Sequence, residues 1–180
     1  EIVDESFPGD IVGLHDTGNF KIGDTLTEGE ILNFKGIPSF SPEHFRYVNN
    51  ADPMKAKQLF KGLDQLMDEG VAQLFTLDIN GRKIIGTVGA LQYEVIQYRL
   101  EHEYGAKCTY ENIHVHKACW VQAEDVKNDE FKEFKRVKQR YLAKDKQGRL
   151  VFLADSAFTI QMTQSKYPTV KLHFTSEFEK

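Results

Sequence analysis

Cysteine is scarce in this chain: its 180 residues include two, Cys108 and Cys119. Small secreted domains that depend on disulfides carry more, so two thiols fit a reducing compartment. Long apolar runs are also missing. No stretch reaches the roughly 18 consecutive apolar residues that a membrane-spanning helix needs. The N-terminus has no basic start and apolar segment, because Glu1, Asp4 and Glu5 stand there instead. A cytoplasmic chain is therefore expected. Neither low-complexity sequence nor an internal repeat is evident. With 41% hydrophobic and 12% aromatic residues, the chain has the apolar content of a packed core and not of disorder.

Several chemistries lack their motifs. A phosphate loop requires G-x-x-x-x-G-K-[ST], whose amides cradle phosphates while Lys and the hydroxyl reach the terminal phosphate and Mg²⁺. No such match occurs, and the nearest glycine pair, Gly86 and Gly89 in "GTVGA", reads as a tight strand-to-helix turn. Cys108, His114, His116 and Cys119 cluster in sequence but lack the C-x₂-C spacing of zinc sites. They are expected to be buried thiols and two histidines on one side of a strand. His44, His102 and His173 have no partner that sequence alone can assign. The RNP pattern of RNA-recognition sheets is absent, so Phe45, Tyr47 and Tyr110 read as packing residues. No catalytic, cofactor-binding or metal-binding residue is assigned.

What is present is a succession of short strands and helices. "PGDIVGL" and "IGDTL" each set Gly-Asp beside aliphatic residues, which reads as strand boundaries in an antiparallel meander over residues 1–35. So small a sheet cannot bury its apolar face alone, and the opening reads as the end of a larger domain. "GIPSFSP" marks a boundary. "EHFRYVNN" follows as a strand, and Asp52 caps a helix beginning at Pro53, with Ala56, Leu59, Phe60, Leu63, Leu66 and Met67 on its buried face and Gly70 at its end. "VAQLFTL" and "KIIGTV" form a hairpin around Asn80-Gly81. A helix from about Ala90 to Tyr104 and the strand "KCTYEN" complete the split βαβ order of a ferredoxin-like unit.

After residue 112, "HVHKACWVQA" is expected as a strand. Asn128 to about Leu142 is expected as a helix, with Phe131, Phe134, Val137 and Tyr141 inward. "RLVFLA", a helix capped by Ser156 and the alternating strand "TVKLHFT" make up the rest, a βαβαβ extension. The fold class is α+β, divided as 1–35, 36–112 and 113–180.

Charge is unevenly spread. Lys132–Arg149 holds eight basic residues against Glu133 and Asp145, a local +6, and since the chain totals −4 the remainder sums to −10. Lys132, Arg136 and Arg140 recur every four residues and share one side of the expected helix, with Lys135 and Lys138 widening the strip. Such a strip suits an anionic partner such as RNA or an acidic protein, although charge runs commonly form solvated faces.

These stretches together resemble translational GTPases of the bacterial ribosome. "PGDIVGL...IGDTL" is similar to the closing strands of that family's second, β-barrel domain. "DPMKAKQLFKGLDQLMDEG" and "GTVGALQYEVIQYRLEHEYGAKCTYE" resemble the two helices of the third domain in the elongation factor G group. "GALQ" replaces the usual Gly-Glu-Leu-His. With "GIPSFSPEHFRYV" and "RLVFLADSAFTIQMTQSKYPTVKLHF", it directs the resemblance to the peptide chain release factor 3 family. The resemblance implies a C-terminal fragment, itself not an enzyme, of a GTPase whose missing N-terminal domain carries GTP or GDP and Mg²⁺. It also implies a monomer that binds the bacterial ribosome and promotes release of class I release factors after peptide release, with Lys132, Lys135, Arg136, Lys138 and Arg140 as ribosome- or RNA-binding residues. The alternatives are a fragment of an elongation factor G-like GTPase, a stand-alone ferredoxin-like hydrolase and an interaction module.

Overall fold

The computed structural model describes residues 3–15, 24–32 and 39–176. Of the expected meander over 1–35, residues 3–15 and 24–32 show turns and bends without a strand. A strand persists by pairing, and among the described residues none pairs with them as a strand. Their aliphatic side chains stay exposed, Ile11 and Ile31 among them. The remainder of that stretch lies outside the described residues.

From His44 onward the elements follow the sequence signals closely. β1 (His44–Asn50) leads to Asp52, which caps a short 3-10 turn, Pro53–Lys55, by accepting a hydrogen bond from the Met54 amide at 3.0 Å. α1 (Ala56–Asp68) continues from it and ends at Gly70, whose φ of 72° favours glycine. β2 (Gln73–Leu77) and β3 (Lys83–Thr87) flank the Asn80-Gly81 turn, and α2 (Gln92–Tyr104) ends in left-handed Gly105 before β4 (Cys108–Asn112). α1 and α2 pack side by side, and Gly62 permits the approach, since a Cβ there would sit 2.8 Å from Leu100 and Tyr104. Phe60, expected on the buried face of α1, is 46% exposed.

The C-terminal portion departs from expectation in one element. α3 stops at Lys138 (Asp129–Lys138), a 3-10 turn covers Gln139–Tyr141, and a three-residue strand, β6 (Leu142–Lys144), follows. With β5 (Lys117–Ala123), β7 (Leu150–Ala154), α4 (Ala157–Lys166) and β8 (Val170–His173), the order is β-α-β-β-α-β and not the expected βαβαβ. The sheet order β4-β1-β3-β2-β6-β7-β5-β8 contains the same arrangement twice. In each half the first and third strands are central, flanked by the fourth on one side and the second on the other. The sequence shows no repeat, so the correspondence is one of topology.

The halves join through β2 and β6, where Thr76 faces Lys144 and Leu77 faces Ala143. α1 and α2 cover one face of the first half through Leu59, Leu63, Tyr93, Ile96 and Ile85. α3 and α4 cover the second through Phe134, Phe152, Ile160, Tyr167 and Leu172. The faces without helices pack against each other: Phe45, Phe75 and Ile84 meet Ala118, Trp120, Val151 and Leu153. Phe75 lies 6.4 Å from Trp120 between ring centroids. The sheet thus folds across its β2–β6 seam into four layers, helix, sheet, sheet, helix. A bridge between Phe40 and Thr175 and a hydrogen bond from the Ala118 amide to Ser41 Oγ at 2.9 Å close the opposite side.

Candidate functional site

This layering decides which side chains can meet a partner. Phe45 lies in the central core, and Tyr47 packs partly against it with the Arg82 guanidinium 3.6 Å from its ring centroid. Tyr110 stands edge-on to Tyr93 at 5.1 Å and donates to the Tyr93 carbonyl. None of the three sits on an open sheet where bases could stack. Cys108 belongs to the core under α1 and α2, Cys119 to the core under α3 and α4, while His114 and His116 are exposed. Sequence proximity therefore does not gather them, and the described residues hold no group of three or more His, Cys, Asp or Glu placed to share a metal ion. Burial pushes the Cys119 thiol up to about 12.

A cleft of about 600 Å³ between the halves is lined by Met67, Val71, Trp120 and charged groups. Those charges pair across it or along its wall. Lys146 bridges to Asp68 at 2.8 Å and donates to the Asp64 carbonyl, while Arg149 donates to Asp145 at 2.6 Å. The β6–β7 turn thus fastens the second half onto α1. Two cations of the +6 segment belong to this joint and are not free to meet a partner.

The remaining cations lie on or beside α3. Asn128 caps the helix by accepting from the Glu130 amide at 2.9 Å, with Asp129 and Glu130 in the first turn and Lys135, Arg136 and Lys138 in the last. That polarity complements the helix dipole. Phe134 anchors α3, fully buried against Phe152 at 5.9 Å and Tyr167 at 5.7 Å. Glu130 accepts from the Thr169 amide at 2.8 Å, which holds the first turn against the end of α4.

The anchored helix turns its basic side outward. Lys132 pairs with Asp129 at 2.8 Å, holding that carboxyl below the usual carboxylate range. Glu133 is held low in the same way by Lys166. Lys135 and Lys138 lie 5.9 Å and 5.6 Å from the Phe131 and Phe152 ring centroids, their stems along apolar surface. Arg136 and Arg140 are exposed, and no carboxylate among the described residues forms an ion pair with either. Of the five cations marked by the sequence, Lys132, Lys135, Arg136 and Arg140 are exposed and Lys138 is half-buried over the core ring of Phe152; Lys144 beyond them is exposed as well.

The expected inward face is corrected in two places. Val137 is 47% and Tyr141 39% exposed, because the 3-10 turn at Gln139 changes the rotation per residue before Tyr141 and Phe134 alone fills the core position. Chemically the strip can attract and hold an anionic surface, and its hold weakens as salt rises. A family model described as class II release factor RF3, C-terminal domain, matches residues 34–164, a span that includes α1, α2, α3 and the whole basic strip, and the chain belongs to that family.

Proposed function

We propose that this chain is the ribosome-contacting C-terminal region of a translation-termination factor. In this reading the intact protein, a cytoplasmic monomer, uses GTP to promote departure of class I release factors from the ribosome after peptide release. The family match over residues 34–164 carries the reading, and the unpaired cations on α3 supply a surface of suitable charge. No described helix is long and apolar enough to cross a membrane.

GTP, GDP and Mg²⁺ belong, in this reading, to residues outside the chain. Among the described residues, the nearest glycine pair fits them poorly. Gly86, half of the nearest glycine pair, lies in the β1–β3 ladder, and the space beside its Cα is filled by Pro42 and Phe75. It offers no amide cradle for a phosphate.

The test is co-sedimentation of the full-length factor with ribosomes across a salt series, comparing wild type with a variant carrying Lys132→Glu, Arg136→Glu and Arg140→Glu. Association should weaken and its salt dependence flatten, because every phosphate or carboxylate that the strip no longer neutralises keeps its counterions, and their release no longer favours binding. Melting should change little, since exposed substitutions typically cost under about 0.5 kcal/mol each. Equal co-sedimentation at every salt concentration would show the strip to be a solvated face.

A further inference from the structure

α3 follows β5 and α4 follows β7, and those strands are antiparallel, so the two helices run in opposite directions. They are joined at one end, where Lys166 meets Glu133 at 2.9 Å and Tyr167 meets Phe134 at 5.7 Å. One turn onward from Glu133 stands Val137, followed by Tyr141 in the next turn. One turn back from Lys166 stands Met162, preceded by Phe158. Within α3 and α4 residues four apart share a helix side, so Val137 follows Glu133 on its side and Met162 and Phe158 precede Lys166 on its side. The opposed directions carry them away from the Glu133–Lys166 junction along the same course, and Tyr141 lies beyond Val137 in the 3-10 turn that closes α3. Exposure is 47% for Val137, 39% for Tyr141, 51% for Met162 and 69% for Phe158. Beside them on α3 stand Lys132 and Arg136, with Arg140 in the 3-10 turn that follows.

Val137 and Tyr141, exposed and not inward, thus belong to an apolar row bordered by cations. A nucleic-acid backbone would engage the cations and leave the apolar row in water. Val137 and Met162 have no ring on which bases could stack, the Tyr141 ring is engaged edge-on by Phe152 at 6.3 Å, and Phe158 offers one exposed ring where successive bases need a series of them. A segment with apolar side chains on one side and carboxylates beside them satisfies both rows, and a flexible thioether such as Met162 adapts readily to such a partner. We propose that the α3–α4 surface docks an acidic amphipathic helix of a protein partner, its apolar residues over Val137, Tyr141, Met162 and Phe158 and its carboxylates on Arg136 and Arg140. The proposal deepens the reading above and rests on it for placing the partner in the translation machinery.

The probe is a fluorescein-labelled synthetic helix of about five turns, roughly 18 residues, with leucines at helical spacing flanked by glutamates. A control peptide of equal charge has glutamine in place of leucine, and an oligouridine of the same length represents RNA. Anisotropy titrations use this chain, the pair Phe158→Ser with Met162→Gln, and the pair Arg136→Glu with Arg140→Glu, each checked for an unchanged melt. The leucine peptide is expected to bind saturably, with each paired variant about tenfold weaker or more, the glutamine peptide weaker by a similar factor, and Phe158→Leu retaining binding. Equal binding of the two peptides would overturn the proposal. So would the absence of saturable peptide binding, or oligouridine binding more tightly and responding to the charge reversal alone. Ribosome co-sedimentation separates this inference from the function above. If full-length factor with the apolar pair replaced sediments as wild type while the charge-reversed pair no longer sediments, the ribosome reading stands and the amphipathic partner falls.

Discussion

Asp145→Ala removes one carboxylate that serves three donors at the joint between the halves. Asp145 accepts from Trp120 Nε1 at 2.9 Å, from Arg149 Nε at 2.6 Å and from the Arg149 amide at 2.8 Å. Its side chain is 7% exposed, Trp120 is 1% exposed and the Arg149 side chain 32%. Stranding a buried indole N–H costs about 1–3 kcal/mol. The arginine adds less than the about 3–5 kcal/mol of a fully buried broken pair, because its exposed third lets it turn to solvent. A loss of about 3 kcal/mol follows, which for a chain of this size lowers the melting midpoint by about 6–12 °C. Trp120 is the only tryptophan and lies in the core shared by both halves, so its fluorescence during urea unfolding reports on the affected place. The unfolding free energy should fall with an unchanged slope against urea, and Asp145→Asn, which keeps one acceptor, should lose less. A loss below about 1 kcal/mol for the alanine variant would show that the network does not hold the β6–β7 turn against Trp120.

Gly86→Ala should destabilise by about 1–3 kcal/mol, read by thermal melting, because the new Cβ would lie 2.5 Å from Pro42 Cγ and 3.0 Å from Phe75 Cε2. Neither thiol should react with an aromatic disulfide reagent at about pH 8 in the folded chain, and both should react in denaturant, since burial raises Cys108 and pushes Cys119 up to about 12. Burial, with Lys171 adding, holds His173 below its ordinary 6.5, so the unfolded chain takes up that proton first. Its contribution to stability is complete above the unfolded value and is lost as pH falls through the folded one. Cooling of the melting midpoint between about pH 7.5 and 5.5 should therefore be smaller in His173→Gln, and an identical pH response would remove the histidine from the explanation.

Local signals were legible because their physics acts over a few residues. Asp52, Asn128 and Ser156 cap the turns that follow them, Asn80-Gly81 turns the hairpin, and the apolar spacing of α1 and α2 marks their buried sides. The cationic row at Lys132, Arg136 and Arg140 was likewise readable from a four-residue period, as was the family resemblance from its motifs. β6 was not, because three residues are too few to show alternation, and its place comes from pairing with β2, far earlier in the chain. "KIIGT" and "LVFLA" look uniformly apolar for a reason visible only in the folded chain: one side of each strand meets helices and the other meets the opposing half-sheet. Tertiary packing also sorted the cations, setting Lys146 and Arg149 in the joint and leaving Arg136 and Arg140 outward, because an ion pair forms only where the fold brings opposite charges within reach. The sequence alone thus determined the elements, their caps and the charge of the candidate surface, while the folding of one sheet onto itself decided which faces are buried and which remain for a partner.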